Sequence, residues 1–374
     1  MELIQENKGS LRGGVRSSNI ELFRILAMLM IVAHHYVVNS GLINCIENQT
    51  THEIRDYILL LIGWGGKTGI NCFVFITGWF MCKSQISGKK FIKLLAEVEF
   101  YSVTIYMLFW AFGYQNFTVK SFGKAVFPFY NISTGFTSCF LLFYMLIPYL
   151  NMLVQGLQKN EHLKLIILLL LTYTVLPTFI KTTVVFNYIT WFSIVYIIAA
   201  YIRLYPKKWY SDNYTISVCL LVSVILSWIS VVVLAFICFK AGKEILNCYY
   251  FVSDSNKLLA LSTAVFSFLF FNNIKMKYHK FINVVAASTF GVLQIHTSSD
   301  TMRTWLWRIV CDNVGAYNTS HWLFHAIVCI AMIFLSCTAI DIVRIHFLET
   351  PFLKWLNKNR KNEILVNCAG KVNK

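Results

Sequence analysis

The chain is poor in charged side chains. Only 13% of its 374 residues are Asp, Glu, Lys or Arg, whereas soluble domains contain about 25%. Hydrophobic residues make up 57% of the chain, and its mean hydropathy is +0.60. So few polar side chains cannot cover a water-facing surface, which excludes a soluble globular domain. The sequence therefore predicts an all-α polytopic membrane protein whose solvent is the lipid bilayer.

Metal-ligand patterns are missing from the sequence. The 11 cysteines are scattered, and none pairs with a second cysteine or a histidine at the spacing of a zinc site. Acidic residues are also few, 17 against 33 basic ones, which gives a net charge of +16. The basic residues are spread thinly between apolar runs, which is typical of topology signals and not of a nucleic-acid surface. We expect neither a bound metal nor a nucleic-acid partner.

Long apolar runs dominate the chain, and ten of them approach the roughly 20 residues that a helix needs to cross a bilayer. They are residues 20–40, 58–82, 94–113, 136–154, 163–180, 187–204, 214–239, 257–273, 281–299 and 321–344. The second is interrupted by "GWGGKTG", which predicts a broken helix or a re-entrant turn. The predicted organisation is an N-terminal segment (1–19), a ten-helix domain (20–344) and a C-terminal tail (345–374).

The distribution of lysine and arginine predicts the orientation of these helices. With a cytoplasmic N-terminus, 23 of the 33 basic residues fall in cytoplasmic segments or at cytoplasmic helix ends. One missed span would invert the pattern downstream, so the asymmetry favours ten helices with both termini in the cytoplasm. No small-residue cleavage site is evident around the first apolar run, which we interpret as an uncleaved signal-anchor helix.

Ionisable groups occur inside the first apolar helix, in "ELFRILAMLMIVAHHY". Arg24 and His35 are eleven residues apart, which places them on one helix face about 16 Å apart along the axis. Glu21 lies near the same stripe. Such groups are costly in lipid and usually face a cavity, so the stripe predicts a polar channel from the cytoplasm to an imidazole that can take a proton. The alternative is that both histidines only hydrogen-bond neighbouring helices, which is favoured for His34.

This stretch resembles the first-helix motif of the family-3 membrane acyltransferases, in which a histidine follows an arginine by eleven positions. Arg24 and His35 have that spacing. A second block, "GGKTGINCFVFITGWFM", resembles the glycine-rich element of the family. Asn71 stands there where many members have aspartate, and Thr77 replaces the usual serine. The hydroxyl of Thr77 can still hydrogen-bond, but a role as nucleophile is not expected.

Later blocks extend the resemblance to about residues 19–356. In "KKFIK", Lys90 and Lys93 stand where many members have two arginines three positions apart. Lysine keeps the charge but lacks the planar fork of arginine, so a point-charge contact with phosphate is expected. The block "STFGVLQIHTSSDTMR" resembles the ninth helix of the family, and His296 and Arg303 match there.

The resemblance implies a membrane O-acyltransferase with no bound cofactor. Its co-substrate would be cytoplasmic acyl-CoA, with acetyl-CoA expected, and its acceptor a hydroxyl of a cell-surface or lipid-linked glycan. The expected location is a bacterial inner membrane. The implied residue roles are catalysis by His35, Arg24 and Glu21, donor binding by Lys90 and Lys93, and acceptor-side or supporting roles for His296, Arg303, Asn71 and Thr77. His35 would act either as a general base or as a covalent acyl carrier.

A different class of function remains open on the residues alone. A transporter or flippase for a glycan or an amphipathic metabolite would also have ten helices and histidines near the membrane centre. Internal repeats of the kind found in many transporters are not evident, which favours the enzyme.

Two helical pairs, Lys93 with Glu97 and Asp341 with Arg344, are predicted to form solvated or interfacial ion pairs.

Overall fold

The computed structural model describes residues 17–84, 86–130, 132, 135–180, 182, 184 and 186–358, and this part of the chain contains helices and no strand. Residues 1–16 and 359–374, which belong to the predicted N-terminal segment and C-terminal tail, lie outside it. The α-helices are α1 (Ser18–Val38), α2 (Leu42–Glu47), α3 (Ile54–Gly63), α4 (Gly66–Met81), α5 (Gly88–Ala111), α6 (Val119–Val126), α7 (Phe136–Gly156), α8 (Lys159–Leu170), α9 (Leu176–Phe179), α10 (Tyr188–Leu204), α11 (Asn213–Ala241), α12 (Leu258–Asn273), α13 (Lys280–Ala287), α14 (Thr289–His296), α15 (Asp300–Thr304), α16 (Asn313–Tyr317) and α17 (Trp322–Arg344). Single π turns follow α8, α15 and α17, at Leu171–Val175, Trp305–Val310 and Ile345–Glu349, and short 3₁₀ turns lie at Lys208–Ser211 and Ile245–Tyr249.

Seven helices in the described part are long and apolar enough to cross a membrane. They are Ser18–Val38, Ile54–Met81, Gly88–Ala111, Phe136–Gly156, Lys159–Phe179, Asn213–Ala241 and Trp322–Lys358. Two predicted spans correspond to shorter apolar helices, α10 and α12. The predicted span 281–299 is divided at Ser288 into α13 and α14, of eight residues each. The described part is therefore all-helical, with helices that suit a membrane, while ten crossings and cytoplasmic termini remain predictions.

The predicted interruption of the second span is confirmed as a turn between α3 and α4. Residues 64–65 leave the helix, and α4 begins at Gly66 without a side-chain cap. A Cβ atom on Gly66 would lie 2.3 Å from Cγ of His34, so only glycine permits this approach of α4 to α1. At Gly69 a Cβ would lie 2.7 Å from the carbonyl oxygen of Ala27. The glycine-rich stretch therefore lets the break in the helix pack directly against the histidine end of α1.

Helix α1 lies between two apolar cores. Its first half packs with α4, α7, α10 and α12 in one core, where the large side chains include Phe75, Trp191 and Phe268. Its second half packs with α3, α5, α14 and α17 in the other core, around Tyr101 and Trp307. α1 therefore contacts helices of both cores, and about half of its residues are buried.

Candidate functional site

A cavity of about 900 Å³ reaches His34 and His35 at the second half of α1. Its walls come from α1, α4, the α6–α7 segment, the start of α10, the 246–253 loop and the segment after α14. Tyr130 and Asp300, which also line it, are exposed on the surface of the protein. The cavity is therefore continuous with the exterior and ends at the imidazoles.

His35 is hydrogen-bonded to a second histidine deep in the bundle. Its Nδ1 atom lies 3.0 Å from Nε2 of His296, which is fully buried. Nδ1 of His296 lies 2.6 Å from the carbonyl oxygen of Val292 on its own helix. A carbonyl only accepts, so His296 donates from Nδ1, and its Nε2 in the neutral ring accepts the proton of His35 Nδ1. The chain of bonds leaves the lone pair of the neutral His35 ring on Nε2.

His34 is also held by a backbone carbonyl. Its Nδ1 atom donates to the carbonyl oxygen of Gly63, 2.6 Å away, at the end of α3. The preferred interpretation of His34 as a contact between helices is thus confirmed. The ring also forms part of the cavity wall, because the turn between α3 and α4 packs against it.

Lys67 is a cavity residue to which the sequence analysis gave no role. It lies in the first turn of α4, half-buried, and its ammonium group donates to the hydroxyl oxygen of Tyr188 at 2.8 Å. The local sequence could have indicated a cavity residue here, because a lysine inside a glycine-rich interruption of an apolar span is costly unless it faces a cavity. Its pairing with Tyr188, 121 residues later, could not be read from local sequence.

Two further basic side chains lie in the outer part of the cavity wall. Arg303, a predicted site residue, is there and forms an ion pair with the exposed carboxylate of Asp300. The ammonium group of Lys124 lies 4.4 Å from the ring centre of Tyr130. Tyr130 is outside the spans, and its pKa is lowered because Lys124 hydrogen-bonds its hydroxyl and adds positive charge nearby. The cavity is therefore basic from its mouth to its inner end.

Arg24 and Glu21 lie at the other end of α1. The Nε atom of Arg24 is 3.9 Å from a carboxylate oxygen of Glu21, which is buried, while Arg24 is 28% exposed. Neither residue lines the cavity that reaches His35. The sequence predicted a channel that enters past Arg24, whereas this cavity approaches His35 from the side of Asn39. With a cytoplasmic N-terminus, it opens away from the cytoplasm.

Asn71 and Thr77 use their polar groups inside the protein. Asn71 is fully buried, donates to the carbonyl oxygen of Ser255 at 2.7 Å and accepts from the indole of Trp191 at 2.8 Å. It therefore joins α4 to α10 and to the loop before α12. The hydroxyl of Thr77 donates to the carbonyl oxygen of Phe73, one turn earlier, at 2.9 Å. Neither residue lines the cavity, and their supporting role stays a prediction.

Lys90 and Lys93 lie in the first turns of α5 and do not line the cavity. Lys90 is exposed. Lys93 is 39% exposed and lies 2.7 Å from the carboxylate of Glu349. The predicted pairing of Lys93 with Glu97 is wrong, because Glu97 faces the bundle and pairs there with the guanidinium of Arg344 at 3.1 Å.

Arg344 is the centre of an ionic cluster, which consists of Lys93, Glu97, Asp341, Arg344 and Glu349 and is buried except at Lys93. Besides Glu97, its guanidinium contacts Asp341 at 2.8 Å and Glu349 at 3.0 Å. The predicted pair of Asp341 with Arg344 is confirmed, but both side chains are buried and not solvated. Asp341 also accepts from the hydroxyl of Tyr101 at 2.7 Å. The cluster ties α17 to α5.

One of three comparisons with known proteins found a match. The profile of a family described as an acyltransferase domain matches residues 17–341, which is most of the chain. No curated protein and no solved structure matches the chain. Within the described residues, no group of three or more His, Cys, Asp or Glu side chains is placed to hold a metal ion.

Proposed function

The chain belongs to the acyltransferase 3 family and is a membrane acyltransferase, and on that premise we propose a specific reaction for it. It transfers an acyl group, expected to be acetyl, from acyl-CoA to a hydroxyl of a cell-surface or lipid-linked glycan. The donor would come from the cytoplasm, and the proposed location is a bacterial inner membrane. Nucleic acid has no part in this proposal.

One observation supports the proposed chemistry more than any other, namely the bonded series His35, His296 and the Val292 carbonyl. It orients the His35 ring and directs its free lone pair away from His296. In the proposed step, Nε2 of His35 takes the proton of the acceptor hydroxyl while that oxygen attacks the thioester carbonyl. The carbon–sulfur bond then breaks, and the coenzyme A thiolate leaves with the proton returned by His35. The products are an ester and coenzyme A.

His296 acts in this proposal through His35, as a positioning residue. It accepts the Nδ1 proton of His35 and so selects the tautomer that has its basic nitrogen free, as the carboxylate does in a catalytic triad. The positive charge that His35 gains in the transition state strengthens this bond. No metal or second acid is required for the step.

Arg24, Glu21, Lys90 and Lys93 remain proposed donor-side residues. Coenzyme A has several phosphate charges, and Arg24 and Lys90 offer partly or fully exposed cations at the end of the protein opposite the cavity. Glu21 would hold Arg24 in place. Lys93 would have to share its ammonium group between phosphate and Glu349. This arrangement requires the thioester to reach His35 from the Arg24 side while the acceptor occupies the cavity.

The test is acyl transfer by purified protein with labelled acetyl-CoA and an oligosaccharide acceptor. His35→Ala is expected to lower the rate by roughly 10²- to 10⁴-fold, the usual contribution of a positioned base. His162→Ala is the matched control, because His162 is fully buried and bonded to the Ile197 carbonyl at 3.0 Å but does not line the cavity. Its activity per folded molecule should equal that of the wild type.

Two outcomes would count against the proposal. Full activity of His35→Ala would remove the base, and transport of a glycan without any acyl transfer would favour the transporter. A third measurement separates the base from the covalent carrier: acid-quenched enzyme incubated with labelled acyl-CoA alone should contain no label on His35. Label retained there would assign it the carrier role.

A further inference from the structure

The cavity that ends at His35 has an unequal charge. Lys67, Lys124 and Arg303 line it as basic residues, whereas Asp300 is its one acidic lining residue in the described part of the chain. The side chain of Asp300 is 94% exposed, so it lies in water at the mouth. A positive excess inside walls of low dielectric concentrates anions in the cavity. With the proposed cytoplasmic N-terminus, this excess lies at the outer end of the protein, where topology does not require positive charge.

Lys67 directly follows Gly66, which packs against the His34 ring, so it lies at the histidine end of the cavity. Arg303, like Lys67, acts electrostatically on His35. An ammonium group has three N–H donors, and among the described residues one of them has a hydrogen-bond partner, the hydroxyl of Tyr188. The carboxylate of Asp254 interacts with it at longer range, from the wall of a neighbouring pocket. Lys67 therefore has donors left for a ligand beside the proposed base.

The position of Lys67 on its helix adds to the positive potential. α4 has 16 residues, starts beside the cavity at Gly66 and lacks a side-chain cap. The free N–H groups and the dipole of a helix N-terminus favour negative charge. A helix broken at membrane depth, with its N-terminus facing an anionic group of the substrate, is a known device of membrane proteins.

The rest of the wall suits a sugar. The lining includes Thr137, Ser138, Thr297 and Ser299, whose hydroxyl groups also bond within the protein, together with the aromatic residues Trp64 and Tyr188. The volume of about 900 Å³ falls in the range of small-molecule sites, roughly 300–1,000 Å³. A sugar with one anionic substituent would find stacking surfaces, hydroxyl partners and a cation in the same space.

We propose that the acceptor is an anionic glycan, whose carboxylate or phosphate group binds Lys67 next to the hydroxyl that His35 deprotonates. Arg303 and Lys124 attract the same charge at the mouth. The proposal rests on the acyl transfer proposed above. A competing role for Lys67 is to stabilise the oxyanion of the transition state, which would be equally important for charged and neutral acceptors.

The test compares acceptors that differ only in charge. Purified enzyme is given a neutral hexose oligosaccharide, its uronate counterpart and its phosphorylated counterpart, with acetyl-CoA. The wild type should show a lower KM for the anionic acceptors. Lys67→Met should raise their KM by about 10- to 100-fold, the value of a charged hydrogen bond, and should change the KM and kcat for the neutral acceptor by a much smaller factor. The better of the two anionic acceptors identifies the natural anion.

Lys257→Met is the matched control. Lys257 is a buried lysine whose ammonium group lies 4.4 Å from the ring centre of Tyr250, outside the main cavity. Lys257→Met should leave the preference for anionic acceptors as in the wild type. Lys67→Arg should restore part of the preference that Lys67→Met loses. Equal losses with all acceptors in Lys67→Met would overturn the proposal and assign the oxyanion role, as would a wild type without charge preference.

A binding arm separates this inference from the acyl transfer itself. Dissociation constants of the same free oligosaccharides are measured with wild type and Lys67→Met in detergent, without acyl-CoA. Preference for the anionic sugars in the wild type, lost in Lys67→Met, supports the anionic site even if no acyl transfer is found. Acyl transfer without any preference in binding supports the enzyme and contradicts the anionic site.

Discussion

Two groups of charged side chains lie below the surface of this protein, and they differ in how they are partnered. In the ionic cluster, the guanidinium of Arg344 contacts three carboxylates, those of Glu97, Asp341 and Glu349. In the cavity, Lys67 contacts the neutral hydroxyl of Tyr188 and lines open space. The half-buried His35 lines the same space and is bonded to the neutral ring of His296. A buried charge whose partners belong to the protein stabilises helix packing, whereas a buried charge beside a cavity is available to a ligand.

The largest effect expected from the ionic cluster is on stability. Arg344→Met leaves three buried carboxylates without their central partner, and breaking such a pair costs about 3–5 kcal/mol. We expect the free energy of unfolding in mixed micelles to fall by this amount. The ratio of KM values for charged and neutral acceptors should not change.

Arg344→Lys is the control for that measurement, since it keeps the charge and loses the fork that reaches several carboxylates. It should lie between the wild type and Arg344→Met in stability. An Arg344→Met protein of normal stability but altered acceptor preference would show that the two charged groups have exchanged roles, and the comparison would fail.

A smaller effect, on the rate of acyl transfer, is expected at His296, which is buried but linked to the cavity through His35. His296→Ala removes the acceptor of the Nδ1 proton, a loss of about 1–2 kcal/mol in the transition state, or roughly 10-fold in kcat. The KM for the acceptor should be unchanged, and His296→Gln, which retains an acceptor oxygen, should recover part of the rate. A purely structural His296 would instead lower stability without a selective loss of kcat.

The smallest effect on stability is expected at Lys93, the exposed member of the ionic cluster. Because the Lys93 side chain is 39% exposed, Lys93→Met should change the free energy of unfolding by less than about 1 kcal/mol. If Lys93 binds the donor, the KM for acyl-CoA rises while stability is maintained. An unchanged KM together with a large loss of stability would make Lys93 a structural member of the cluster.

Some features of the fold and the site were predictable because they depend on residues close in the chain. Composition and apolar runs identify a helical membrane protein, since lipid permits only internally bonded backbone. The stretch "GWGGKTG", which includes the glycines at 66 and 69, predicted the break between α3 and α4. The separation of Arg24 and His35 follows from helix geometry alone.

The remaining features depend on contacts between distant residues. His296 was expected on the acceptor side, but its bond to His35 joins positions 261 residues apart. The partner of Lys93 proved to be Glu349 and not the neighbouring Glu97. The side from which the cavity approaches His35 was also not foreseen, because it depends on how five separate segments pack around α1.

The sequence by itself determined that the chain crosses a membrane as helices, which of its helices contain polar groups, and to which family it is similar. The tertiary structure decided which of those groups meet a cavity and which neutralise one another. The physical reason is that solvent preference and helix period act locally along the chain. The free energy of a buried charge, in contrast, depends on the partners that packing brings within a few ångströms.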